Sequence, residues 1–312
     1  MSKRATKNGQ SGAGAPAPPG AKKRTPTDAK RRAAADERNE RGARAFYVYC
    51  VGVRDALAPL FRDAMPDAIE DGAALELVES EGLAAVVSAV PLEVYGEGAL
   101  TARLADAAWT ATRALRHEGV AEHFARRTSV VPLRFGAIYL EREGVARMLS
   151  ERSAQLRAVL ARVGGREEWG LNVYVERARL REEVTRVSER LREMSERADA
   201  SAPGQAYLLR KKIESLRDEE ARAETRRVAA EVERRLAASS DGAARLRVLK
   251  DEAAGQGELA ARLAFLVRRE AFEEFRAAAE ALAAEYTPLG FRFELTGPWP
   301  PYNFTEGAEG KA

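Results

Sequence analysis

Two histidines, one cysteine and several acid pairs are the residues of this chain best suited to chemistry. His117 and His123 are six positions apart in one helical run, so they leave a helix on different sides. Neither has cysteines or acids at metal-ligand spacing, and both read as structural or surface histidines. Cys50 lies within AFYVYCVGV (45–53), where a thiol behaves as a small buried hydrophobe. With one cysteine, no intrachain disulfide can form. No G-x-S-x-G elbow or P-loop is present, and Gly255-Gln256-Gly257 does not continue into a dinucleotide fingerprint. Glu182–Glu183 and Glu219–Glu220 fall on strongly charged helical runs and read as solvated faces. Arg134 would mark a reaction centre only if the fold gathered it with His117 and several carboxylates in a deep polar pocket. The residues therefore point to a non-enzyme with no metal and no cofactor.

The most unusual segment is TGPWPPYNF (296–304), with three prolines, one glycine and three aromatics in nine residues. Proline fixes φ and lacks a donor, so the segment is expected neither to extend the strand before it nor to form a helix. Three aromatic rings left in water would make a sticky patch. Trp299, Pro300, Pro301, Tyr302 and Phe304 are thus candidates for one of two roles: a strap joining parts of the chain, or a docking element for a partner. If Trp299 is the strap, its replacement by alanine should cost a few kcal/mol.

The elements that would position these residues can be read from hydrophobic periodicity. Strands are expected at Ala45–Val53, Ala74–Glu79 and Leu83–Val90, with a turn at Ser80–Gly82. Arg54–Arg62 suits a short helix. A helix over Thr101–Arg127 would use Leu104, Ala108, Leu115 and Val120 as apolar positions. Extended segments follow at Thr128–Leu133 and Ala137–Leu140, then a helix over Glu143–Val163, ended by Gly164–Gly165. The order then recurs: strand Trp169–Glu176, helix Ala178–Arg197, a break at Ala198–Gly204, and a long charged helix Gln205–Ala238. Strand Ala244–Lys250 comes next. Leu259–Arg268 suits a strand, although its alanines also permit helix. Helix Arg269–Tyr286, with Phe272, Phe275, Ala279 and Leu282 on one face, and strand Phe291–Leu295 close the series. In the long helix, two apolar stripes are offset around Glu219, Glu220 and Glu224, so no continuous heptad seam runs through it.

The fold class is α+β with two domains. Residues 166–296 form a ferredoxin-like βαββαβ domain with a long charged helix, residues 45–165 a related βαββαβ-like arrangement, and residues 297–312 an extended aromatic and proline-rich tail. Residues 1–44 read as a disordered basic tail. They carry 12 Lys/Arg against 4 Asp/Glu, a net of +8, which leaves −5 for the rest of a chain whose total is +3. This tail holds no aromatic residue for base stacking, so no nucleic-acid partner is expected. No run of 18 apolar residues occurs, so no membrane partner is expected, and with no secretory h-region the expected location is cytoplasmic.

Several segments, taken in order, resemble the GvpF/GvpL family of gas vesicle proteins: YVYCV (47–51), LAAVVSAVP (83–91), His117-Glu118, VVPLRFG (130–136), WGLNVYVE (169–176), GQAYLLRK (204–211) and TGPWPPYNF (296–304). The resemblance spans Phe46–Phe304, with a looser match at Leu259–Val267, and leaves out the basic tail. It implies a non-catalytic accessory protein of gas vesicle assembly, located in the cytoplasm or at the gas vesicle. It further implies two α+β domains and a C-terminal tail that contacts both. The implied partners are the small hydrophobic gas vesicle shell protein and other accessory Gvp proteins; the alternative it leaves open is a minor structural component of the wall. Tyr207 and Leu208 of GQAYLLRK and Arg134 of VVPLRFG join the tail residues as candidate partner or interdomain contacts.

Overall fold

The computed structural model describes residues 43–248 and 257–306. The expected basic tail lies outside these residues as far as position 42, and Arg44 already belongs to the first strand. The end of the expected strand Ala244–Lys250 and the last six residues of the chain also lie outside them. The described residues from Arg44 onward form one compact unit built on two antiparallel sheets.

The first sheet has the order β2-β3-β1-β4, with β5 also pairing β1. Its strands are β1 (Arg44–Val53), β2 (Leu75–Ser80), β3 (Leu83–Pro91), β4 (Val130–Pro132) and β5 (Ile138–Tyr139). From Ala45 on, β1 is apolar because both of its faces are covered. Val48 and Val51 face one core, Tyr47, Tyr49 and Cys50 the other. A bulge between Val48 and Cys50 shifts the register by one and places Tyr49 and Cys50 on the same side. Helices α5 (Arg142–Glu151) and α6 (Ser153–Val163) cover the first face. The second is covered by α1 (Arg54–Leu57), α2 (Leu92–Tyr95), α3 (Glu97–Leu104) and α4 (Ala107–Ala125). The β2–β3 turn has Glu81 and Gly82 both at positive φ, the hand that suits a two-residue hairpin.

The second sheet has the order β7-β8-β6-β9, all neighbours antiparallel, from β6 (Arg166–Val175), β7 (Gly242–Leu246), β8 (Glu258–Arg268) and β9 (Phe291–Trp299). This arrangement follows from an element order of β-α-β-β-α-β. Leu171, Val173 and Val175 of β6 face a core covered by α7 (Arg177–Val187), α8 (Glu189–Asp199), α9 (Pro203–Ala237) and α10 (Phe272–Tyr286). The alternate residues Glu168, Gly170 and Asn172 lie on the opposite face.

Five expectations are corrected. The run expected as one helix over Thr101–Arg127 is two, because Asp106 stops α3 and caps α4 by accepting from the Ala108 and Trp109 N–H groups. Leu104 and Leu115, expected on the apolar side, are exposed. The Ala178–Arg197 run breaks at Ser188, whose Oγ accepts from the Leu191 N–H at 3.3 Å and donates to Glu220 Oε2 at 2.8 Å. Glu220 is therefore anchored between helices and not on a solvated face, while Glu224 is buried and paired with Arg227. The run Glu143–Val163 likewise divides at Arg152. Finally, Pro203 and Gly204 open α9 instead of interrupting the chain before it, since proline in the first turn forfeits no helical hydrogen bond. Replacing Ser188 by alanine removes a cap and a buried partner of Glu220. It should cost about 1–2 kcal/mol, read as a lower urea midpoint with an unchanged slope.

Candidate functional site

β9 runs on through Thr296 to Trp299, against the expectation that the proline-rich segment could not extend it. Edge position makes this possible. β9 pairs only β6, and a bulge between Glu168 and Gly170 lets the ladder pass from Thr296 to Trp299 without a donor from Pro298. Beyond Trp299 the chain leaves the sheet as a strap. Pro300 and Pro301 are buried and Tyr302–Phe304 form one short turn against the first half of the chain.

The strap is held at three points. Asn303 donates to Glu168 through its backbone N–H at 2.9 Å and its side-chain amide at 2.5 Å. Tyr302 places its hydroxyl 3.1 Å from His117 Nε2, and this hydroxyl donates to Glu118, both partners lying on α4. Phe304 packs on the core under α5 and α6, and its carbonyl accepts from Arg162 at 2.6 Å. Its ring also lies where a side chain at Gly242 of β7 would fall, 3.0 Å from the nearest ring atom. A short tail thus ties α4, α6, β6 and β7 together. Arg269 adds a separate tie, donating from the end of β8 to the Ala125 carbonyl at 3.0 Å and pairing with Glu167.

His117, only 3% exposed, is the hub on the α4 side. Tyr47 accepts from the Gly136 N–H at 3.1 Å and stands 2.9 Å from His117 Nδ1. The Leu133 carbonyl stands 3.1 Å from Nε2. These partners assign the neutral ring with its proton on Nε2, because Leu133 O can only accept and Tyr47 then donates to Nδ1. Burial lowers the His117 pKa to about 4, against a weaker opposing effect of the Leu133 carbonyl. Burial raises Glu168 to about 7; the Asn303 bonds oppose this and the charge of Glu118 adds to it. Glu118 is itself raised, first by burial, with the Tyr302 hydroxyl opposing and Glu122 adding. Burial also raises the Cys50 thiol, which stays protonated and unreactive.

A cleft opens beside the strap between α4 and the polar face of the second sheet. Glu118, Glu168, Asn172, Arg262, Thr296 and Trp299 are among its walls. Arg134 is not: it is exposed at the turn after β4, and its backbone carbonyl closes that turn to Ala137. The fold therefore does not gather Arg134 with His117. Of the tail residues, Tyr302 and Phe304 bridge the two halves, while Trp299 is 43% exposed and its indole N–H donates to Thr296 of its own strand at 3.2 Å. Tyr207 and Leu208 lie apart from the strap, in the first turns of α9. Among the described residues no group of three His, Cys, Asp or Glu side chains could hold a metal ion, and no helix is long and apolar enough to cross a membrane. Sequence reasoning missed Glu168 and Asn303. Gly170 was the available signal: a glycine inside a strand marks a close approach, and a Cβ there would lie 2.7 Å from Thr296 Oγ1.

The geometry defines a class: a two-sheet α+β protein locked by its own C-terminal strap. The chain belongs to the GvpL/GvpF family of gas vesicle synthesis proteins, whose family model matches residues 45–306. It is 31% identical over 241 residues to gas vesicle protein L of Streptomyces sp. (strain CB03234), covering 75% of this chain and 84% of that protein. The fold is similar to that of the crystal structure of GvpF from Anabaena sp. PCC7120, with a TM-score of 0.58 at 17% identity over 84% of this chain and 96% of that one. GvpF from Microcystis aeruginosa gives a TM-score of 0.52 at 16% identity, over 84% of this chain and 99% of that one. The role of the chain is gas vesicle-related.

Proposed function

We propose that this chain is an assembly adaptor that binds the hydrophobic gas vesicle shell protein and other accessory Gvp proteins while vesicles form. Family membership sets the process, and one observation carries the adaptor reading. Tyr207 and Leu208 stand side by side in GQAYLLRK on α9, each 65% exposed, with no fold of their own to bury them. A wall that faces gas needs subunits with apolar surface, and that surface is exposed to water before assembly. Exposed apolar side chains on a rigid helix can cover it, gaining about 25 cal/mol per Å² gross, less the cost of association.

Co-expression with the shell protein and each accessory protein, followed by pull-down, tests this. Capture of at least one is expected. Y207S/L208S should reduce capture several-fold with an unchanged melting temperature, because neither side chain is in the core. No association with any of these proteins would remove the reading. Retention of the chain on purified vesicles through a urea wash would make it a wall component instead of a transient adaptor.

A further inference from the structure

β8 is longer than the strand beside it. On its inner side it pairs β6 from Glu258 to Arg268, but on its outer side β7 pairs only Arg262–Leu266. Arg247 and Val248, which could have continued β7, are not in a strand. Among the described residues, the outer edge of Glu258–Ala261 has no neighbour. A groove runs along this edge, with Leu180, Ala221, Leu259 and Ala260 as its apolar surfaces.

The rim is charged, and the charge is not balanced. Its two carboxylates are already paired, Glu258 with Arg177 and Asp218 with Arg181. Arg222 and Arg226 of α9 also line the groove, both exposed and without an ion-pair partner among the described residues. They are four apart, hence on one helix face and about 6 Å apart along its axis. Residues i and i+2 of an added strand share a face and are about 6.8 Å apart, close to the axial spacing of the two arginine positions on α9.

We propose that this groove takes an extended acidic peptide segment of a partner protein, added as a strand to the free edge of β8. Alternate carboxylates of the segment meet Arg222 and Arg226 on the α9 side, and the intervening side chains lie on the opposite face of the sheet. The site is distinct from Tyr207 and Leu208, which lie about 15 Å or more away along α9. Its success or failure is therefore separable from that of the adaptor surface.

The probe is a fluorescein-labelled, end-capped peptide Glu-Val-Glu-Val-Glu-Val, titrated with the full chain by fluorescence anisotropy. Saturable binding that weakens with added NaCl is expected, together with weaker binding of Lys-Val-Lys-Val-Lys-Val. R222Q/R226Q, with its fold checked by circular dichroism, should lower affinity about ten-fold. The same acidic peptide with every amide N-methylated should lose binding, since it keeps the charges but cannot join a ladder. The double variant leaves the basic residues 1–44 untouched, so undiminished binding to it would place the attraction elsewhere and overturn the assignment. Absence of saturable binding, or equal binding of the basic or the N-methylated peptide, would overturn it as well.

Discussion

Replacing Tyr302 by alanine should destabilise the protein by about 3 kcal/mol, whereas replacing Trp299 should cost less than about 1 kcal/mol, although tryptophan is the larger residue. The difference follows from where the rings sit. The Tyr302 ring lies 6.2 Å from that of His117, and its hydroxyl serves both His117 and Glu118. Its removal opens a cavity at the junction of α4 with the strap and leaves Glu118, which already has one buried oxygen without a partner, deprived of the donor on the other. Trp299 is 43% exposed, and its loss forfeits one indole hydrogen bond within β9. Urea unfolding of the two variants beside the wild type measures both. Tyr302→Phe, which keeps the ring, should recover most of the loss, leaving the share due to the hydroxyl. Equal costs for Tyr302→Ala and Trp299→Ala would show that the strap does not hold the halves together.

The reversal of roles between these two aromatics shows what composition can and cannot say. Three rings and three prolines announce that TGPWPPYNF must pack, but which ring turns inward depends on the phase of β9 and on the bulge opposite Gly170. Neither is visible in a string of residues. The strands themselves were legible because burial on one or two faces leaves a pattern: AFYVYCVGV is continuous where β1 is covered twice, and Leu171, Val173 and Val175 alternate where β6 is covered once. The helix breaks were not legible. Asp106 and Ser188 are single polar residues inside long helical runs, and a cap differs from an ordinary exposed position only through the hydrogen bonds it makes to the next turn. The same limit hid the junction. Glu168 looks like one of many acids, and only the fold brings Asn303 to it across 135 positions of chain. His117 was readable as structural, but its partners Tyr47, Leu133 and Tyr302 come from three separate stretches.

Stability should depend on pH through two buried groups that pull in opposite directions. Glu168, 4% exposed, has its pKa raised from an ordinary 4.5 to about 7. Between these values the folded state holds a proton that the unfolded chain releases, so this group's contribution is full below pH 4.5 and is lost as pH rises to 7. His117 is lowered from 6.5 to about 4. Here the unfolded chain binds the extra proton, so the contribution is full above pH 6.5 and is lost as pH falls to 4. Each shift is worth about 3 kcal/mol over its range. In the overlap, pH 4.5–6.5, the slopes of these two groups cancel, so the wild type should be flatter there than either single variant, with Glu118, whose pKa is also raised, adding a downward tilt as pH rises. Single variants expose the parts. Glu168→Gln keeps a neutral partner for Asn303 and should leave stability rising from pH 4 to 6.5 and level above. His117→Gln, which can still accept from Tyr47 and donate to Leu133, should leave it falling from pH 4.5 to 7. Urea midpoints from pH 4 to 8, taken as differences from the wild type, separate these groups from the surface carboxylates common to all three proteins. The flattening is therefore a product of the strap, since Asn303 and Tyr302 hold Glu168 and Glu118 in the same closed junction as His117. A Glu168→Gln curve parallel to the wild type above pH 6.5 would mean that the Glu168 carboxyl is solvated and that the strap does not close over it.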